Sequence, residues 1–195
     1  MSRLLSVLLA LACPLSVLAA PQTYAFDQMH SFPNFTINHL GMTNIHGRFD
    51  RMSGTVVFDQ AARTGSLEAK VVTASVNTGD AKRTDGARSR DEHLRSADFF
   101  NSAEFPEMVY KSTRFNFSGD KVESIEGNLT LLGVTKPLKF NVSSFNCGPH
   151  PFNKKAMCGA NVEGTVKRSE FGMKYGVPGI SDDVKLTISL EAYPQ

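Results

Sequence analysis

The 195-residue sequence predicts an all-β fold, an antiparallel barrel or sandwich with one short helical insertion. Three observations carry this. Apolar and polar residues alternate strictly along many short runs, the period of a half-buried strand. Turn residues separate the runs at regular spacing. A single stretch, Thr84 to Asn101, has helix-compatible composition instead.

Taken in order, the first run places Phe35, Ile37 and His39 on one face, and Val56 with Phe58 marks the second. Leu67-Ala69-Val71 is the third. The helical stretch follows, with a cap expected at Thr84 or Asp85 and a dense charged segment from Arg88 to Arg95. Alternation resumes at Met108-Tyr110-Ser112 and Phe115-Phe117. It continues through Ile125-Gly127-Leu129-Leu131, Leu138-Phe140-Val142 and Val162-Gly164-Val166. The last run is the clearest: Val184, Leu186, Ile188, Leu190 and Ala192 oppose Lys185, Thr187, Ser189 and Glu191. Turns are expected at Met52-Ser53-Gly54, Ala62 to Gly65, Ser118-Gly119-Asp120 and Gly133 to Pro137.

The N-terminus reads as a secretory leader. Arg3 precedes an apolar run from Leu4 to Leu18, and small residues follow at Ala19 and Ala20. A transmembrane helix wants roughly 20 apolar residues, so no stable membrane span is expected. The division is residues 1–19 as signal peptide and 20–195 as one barrel domain, with Cys13 as the lipid-modified cysteine of a lipoprotein in the rival reading. The whole chain has 21 basic and 19 acidic residues, so loss of Arg3 leaves a mature net charge of +1. Lys and Arg are scattered among acids rather than clustered, which excludes a nucleic-acid partner.

Cys147 and Cys158 remain in the mature chain. In an oxidising compartment a pair at this spacing is normally a disulfide, closing a loop rich in turn residues. The competing reading, a metal site of Cys147, His150 and Cys158, is a ligand short, and no metal is expected. Gly127 and Gly164 fall on presumed inward faces. There they either leave room for a ligand or mark bends in a solid core.

Several motifs together resemble the YceI-like family of lipid-binding proteins. His30-Ser31-x-x-x-Phe35-x-Ile37-x-His39-Leu40-Gly41 with Gly47-x-Phe49 is similar to its opening signature. Ser75-Val76-Asn77-Thr78 and Arg90-Asp91-x-His93-Leu94-Arg95-Ser96-x-Asp98-Phe99-Phe100 follow, then Phe105-Pro106. Gly127 to Pro137 is the most distinctive stretch, and Arg168-Ser169-x-Phe171-Gly172 closes the set, with Glu170 where aspartate is common. The resemblance implies a lipocalin-like eight-stranded antiparallel β-barrel, often dimeric. It implies a periplasmic protein holding a polyisoprenoid or similar long-chain lipid, with no cofactor. The stretch from Gly79 to Ala87 is longer than the family's usual connection, and the Cys147–Cys158 loop belongs to only some members. Both bear on the tunnel mouth.

On this reading Phe35, Ile37, Phe49, Phe117, Leu129, Leu131, Phe140 and Val142 form the apolar tunnel. His39, Arg90, Asp91 and His93 stand at its mouth for a ligand head group. His39 alternatively ends a strand as a satisfied histidine, and Arg90, Asp91 and His93 alternatively brace the helix. Phe99 and Phe100 are expected as a plug beneath the helix, and Arg168 as a clamp on backbone carbonyls. His30, His39, Asp91 and His93 could support acid–base chemistry on a lipid-like substrate. No nucleophile elbow, H-E-x-x-H or phosphate-cradling glycine loop accompanies them, so an enzyme is not expected. A structural or redox-partner role in the envelope, with an empty or water-filled barrel, is the third class, and a stress-related envelope protein with another small apolar ligand is a further alternative.

Overall fold

A computed structural model describes residues 21–195; the leader reading and Cys13 lie outside the described residues. Eleven antiparallel strands form one sheet. They are β1 (Gln22–Phe26), β2 (Phe32–His39), β3 (Thr43–Phe49), β4 (Met52–Asp59), β5 (Thr64–Val72) and β6 (Val76–Asn77), then, after the helix α1 (Arg90–Arg95), β7 (Glu107–Ser118), β8 (Lys121–Leu131), β9 (Val134–Pro149), β10 (Ala156–Lys167) and β11 (Ile180–Pro194). The sheet closes because β1 pairs with both β4 and β11. This makes an eight-stranded barrel, as the resemblance implies.

The eight staves include two kinked ones. β1 and β2 follow one another along the same edge of β11, which pairs with β1 at Ala192 to Pro194 and with β2 from Ile180 to Ser189. β3 and β4 likewise run on through a break at Asp50-Arg51. The fully buried Ser31 staples the first kink: its hydroxyl donates to Glu191 O and accepts from Glu191 N. Across the second kink the neighbouring stave stays attached: Val72 N donates to Arg51 O, Asp50 N donates to Ser75 O, and β6 pairs with β3. The ladder between β5 and β7 ends at Val72 and Glu107, so the barrel splays at this upper end between β6 and β7, and the segment joining them carries α1.

Several local expectations are corrected here. Met52-Ser53-Gly54 is not a turn but the start of β4. Gly54 pairs with Ala69 in the ladder, and a Cβ there would collide with Glu68 O and meet the Phe26 ring at 2.6 Å, so the strand takes glycine at this point. The two runs Met108–Ser112 and Phe115–Phe117 are one strand, β7, with register shifts at Ser112/Arg114 and Asn116/Phe117. β1, β3 and β6 were not anticipated. The helix covers six residues rather than most of Thr84–Asn101. Its cap is Ser89, not Thr84 or Asp85, in a capping box: Glu92 N donates to Ser89 Oγ and Ser89 N to Glu92 Oε2. Gly86, at φ 78°, takes the left-handed backbone that ends any helix through residues 84–88.

The lower barrel is solid. Phe58 stacks on Phe117 with ring centroids 6.3 Å apart and meets Phe145 edge-on at 4.8 Å. Below them the β9–β10 hairpin is bridged by a Cys147–Cys158 disulfide between residues directly opposite in register. That bridge consumes both thiols and overturns the metal alternative; His150 Nδ1 accepts from Phe152 N and Asn153 N instead. Among the described residues no helix is long and apolar enough to cross a membrane.

Candidate functional site

Above the packed floor the barrel is hollow. A cavity of about 450 Å³ opens at the splayed end, within the range of ligand sites, about 300–1,000 Å³. Alternation builds it: Val184, Leu186, Ile188 and Leu190 of β11 line the space, while Lys185, Thr187 and Ser189 between them are exposed. The inward apolar residues of β11 are only half-buried because they face a void rather than one another.

Of the tunnel residues expected from the sequence, Phe35, Ile37, Phe49, Leu129, Leu131 and Phe140 line the cavity. Two lie elsewhere. Phe117 belongs to the stacked floor, and Val142 faces a separate apolar void of about 40 Å³ beside Cys158. Parity put both on the inner face, but parity says nothing about height along the axis. Phe99 and Phe100 also line the cavity under α1, with Phe49 and Phe100 edge-on at 5.2 Å.

The glycines resolve in favour of close packing. A Cβ on Gly127 would meet the Tyr110 hydroxyl at 2.6 Å and Lys111 O at 2.5 Å. One on Gly164 would meet Phe140 at 2.9 Å, and Gly47 is covered by Phe35 in the same way. Aromatic rings lie over strand glycines, so the room these glycines leave is filled by protein. Tyr110 needs its place: its hydroxyl reaches Ile125 O and Leu138 O, both at 3.2 Å, and burial pushes its phenol pKa up. The cavity opens above these contacts.

Polar groups gather at the mouth, where Thr78, Asp80, Arg88, Ser89, Arg90 and His93 join the lining. His39 lines it from the top of β2. Asp91 does not. It is buried beneath the helix, where Oδ1 accepts from Thr78 N at 2.9 Å and Thr78 Oγ1 at 2.6 Å. Its Oδ2 has no hydrogen-bond partner among the described residues. Thr78 Oγ1 in turn accepts from Arg90 Nε at 2.9 Å, so Asp91 orients Arg90 through Thr78. The terminal guanidinium nitrogens of Arg90 donate to nothing among the described residues. His93 Nε2 stands 2.8 Å from Asp98 Oδ2, and Arg88 approaches the same carboxylate at 3.7 Å. The His93, Phe99 and Tyr175 rings form a cluster at 4.9–5.3 Å.

Sequence reasoning missed Thr78, Asp80, Arg88 and Tyr175. The Ser75-Val76-Asn77-Thr78 landmark held the first, but nothing local marks Tyr175, distant in sequence, as a neighbour of His93 and Phe99. Arg168 is a clamp as expected. Nearly fully buried, it donates to Ser181 O, Met173 O, Tyr175 O and Ile180 O at 2.8–3.1 Å. His30 sits apart on the outer surface at the β1–β2 kink. Its Nδ1 is 2.7 Å from Asp27, which raises the His30 pKa and lowers that of Asp27. The four groups considered for acid–base chemistry are therefore not brought together.

Comparison with known proteins adds independent information. A model of the YceI-like domain matches residues 24–192. Protein YceI of Escherichia coli O157:H7 is 35% identical over 181 residues, covering 92% of this chain and 90% of that one. Protein YceI of Salmonella arizonae is 36% identical over 180 residues, with the same coverage. Among solved structures, the Campylobacter jejuni YCEI protein superposes with a TM-score of 0.64 at 29% identity, over 82% of this chain and 90% of that one. A polyisoprenoid binding domain from Saccharophagus degradans, implicated in plant cell wall breakdown, gives 0.60 at 18% identity, covering 89% and 99%. At that identity the likeness is one of fold.

Proposed function

The chain belongs to the YceI-like family, and on that premise we propose that its barrel binds and carries a polyisoprenoid or similar long-chain amphiphile in the periplasm, without transforming it. One observation carries the reading: an apolar cavity whose charged lining among the described residues, Asp80, Arg88, Arg90 and Arg168, gathers toward its open end. Such a gradient suits a ligand with a hydrocarbon tail and one polar head. The tail is held by area, at roughly 25 cal/mol per Å² removed from water. The head meets Arg90, whose terminal nitrogens have no partner among the described residues, with Arg88, His93 and His39 in the same lining. Asp91 acts behind the lining as the group that positions Arg90. The fold shared with the polyisoprenoid binding domain of Saccharophagus degradans supports the ligand class. The leader-like residues 1–19 and the disulfide support export to an oxidising compartment.

Native mass spectrometry of protein from its own envelope is expected to show a co-purifying lipid released unchanged. Competition against a fluorescent fatty probe then separates head from tail, using prenol and prenyl phosphate of matched length. Arg90→Ala is expected to weaken the phosphate by about 1 kcal/mol more than the alcohol, a modest figure because the side chain is exposed. Phe35→Ala is expected to weaken both alike. Equal losses in the Arg90 variant would return that residue to bracing the helix.

A further inference from the structure

The rim of the cavity is built of two unlike parts. The β2–β3 turn carries Leu40 and Met42, and the loop before β11 carries Tyr175 and Val177; their exposures are 59%, 85%, 49% and 39%. Of the six exposed large apolar side chains among the described residues, four stand here. The two segments are joined, since Leu40 N donates to Gly179 O at 2.6 Å. The remaining rim, residues 78–90, carries Lys82, Arg83, Arg88 and Arg90 against Asp80 and Asp85, and Lys174 stands beside Tyr175. Lys82 and Lys174 are exposed and make no ion pair among the described residues.

From this we infer that the open end of the barrel docks on a bilayer containing anionic phospholipid, with Leu40, Met42, Tyr175 and Val177 entering the interface and Lys82 and Lys174 meeting phosphates. Single exposed apolar residues need no explanation, but four on joined loops around an apolar opening form a patch. The patch is too small for a stable protein partner, which takes roughly 20–30 residues a side. Shallow insertion of loop tips needs no such area, and tyrosine suits the interfacial zone. Flanking lysines are drawn to an anionic leaflet by its surface potential. The arrangement also joins the cavity to the hydrocarbon layer, so an apolar tail need not cross water. This last point rests on the carrier reading; the docking itself does not.

The test is flotation of the mature protein with phosphatidylcholine vesicles, with and without phosphatidylglycerol. The double variant Leu40→Asp, Met42→Asp is compared with wild type. Leu40 has φ 58°, a left-handed backbone that aspartate tolerates better than leucine, and neither residue lines the cavity. Wild type is expected to prefer the anionic vesicles and to lose that preference at high salt. The double variant is expected to bind them roughly tenfold or more weakly, while loading a polyprenol from detergent micelles as wild type does. Lys82→Ala with Lys174→Ala is expected to abolish the preference for phosphatidylglycerol, and it decides the matter if the first variant misfolds. Equal flotation of wild type and variants would overturn the inference, as would a wild type that floats with neither vesicle. So would a wild-type dimer that the apolar variant dissociates without any vesicle binding, since a second copy would then be the occupant. Flotation without polyprenol loading would remove the carrier reading and leave the docking surface standing.

Discussion

Gly127 shows how much a single missing Cβ decides. Tyr110 crosses the space above it, and Lys111 O closes the other side at 2.5 Å, so even a methyl group must displace backbone or a buried ring. Gly127→Ala is therefore expected to destabilise the protein by about 1–3 kcal/mol through overpacking. Urea unfolding at constant m-value checks it; a neutral variant would mean that the ring moves freely. Two residue-scale readings of these glycines were open from the sequence, and nothing in it could choose between them. The choice depends on which ring leans across from the neighbouring strand, a matter of register and rotamer rather than of alternation. Asp182 makes a second case. It accepts from Ser169 N and Ser169 Oγ, both at 2.8 Å, and these bonds, the backbone one first, hold its pKa below the ordinary 3.8. A depressed carboxylate pKa contributes stability that is complete above the unfolded value and is lost as pH falls through the folded one. The window is thus below about pH 4. Ser169→Ala removes the hydroxyl and keeps the amide, so the pKa is expected to rise part of the way towards 3.8. Carboxyl carbon NMR titration reads this directly, and an unmoved pKa would assign the shift to the amide alone.

At the scale of elements, the strands and the irregular connections differ in how legible they were. The long strands from β4 on carried their alternation over most of their length, broken at Met52-Ser53-Gly54 in β4 and at the register shifts of β7. β3 did not, because its outward Asn44, His46 and Arg48 alternate with an inward Gly47 that has no side chain to signal burial. β1 and β6 were too short to show a period. The helix lies inside the expected stretch but is shorter, and its start is marked by the capping box, Ser89 with Glu92 three residues later, which composition alone does not resolve. The loop between β10 and β11 has no regular pattern at all. Arg168 holds it, pointing one guanidinium at four carbonyls, and burial lowers its pKa while the Asp182 charge opposes that effect. A lysine keeps the charge but cannot fork to four acceptors. Arg168→Lys is therefore expected to cost on the order of 2 kcal/mol, by leaving buried carbonyls unpaired. Amide exchange should accelerate from residue 172 to 180, carrying Tyr175 away from His93 and Phe99. Unchanged stability would show that water replaces the clamp.

For the whole molecule, closure and hollowness are separate facts with separate origins. Closure is a matter of pairing, since β1 meets both β4 and β11, and alternation alone left it open between barrel and sandwich. Hollowness follows from uneven height. Phe58, Phe117 and Phe145 fill the bottom, while at the top β6 and β7 do not pair and the upper inward residues face space. Alternation predicted which way Phe35, Ile37, Leu129, Leu131 and Phe140 point, and these five stand on the cavity wall with Phe49, which only the resemblance marked; alternation did not predict the level at which the packing stops. That floor has a measurable consequence. A tail entering from the mouth gains contact area with each added isoprene unit until it meets the rings below, and nothing afterwards. Affinity across a series of prenols is therefore expected to climb severalfold per unit and then level off. Because a ligand that binds only the folded state raises its apparent stability, the melting temperature at fixed excess should follow the same curve. Phe117→Ala opens the floor itself and is expected to lower stability with the plateau reached at the same chain length or later. Phe49→Ala, on the cavity wall, is expected to weaken every member of the series. Affinity that rises without limit along the series would mean that the tail does not end inside the barrel, and a flat series would mean that the cavity does not hold the tail.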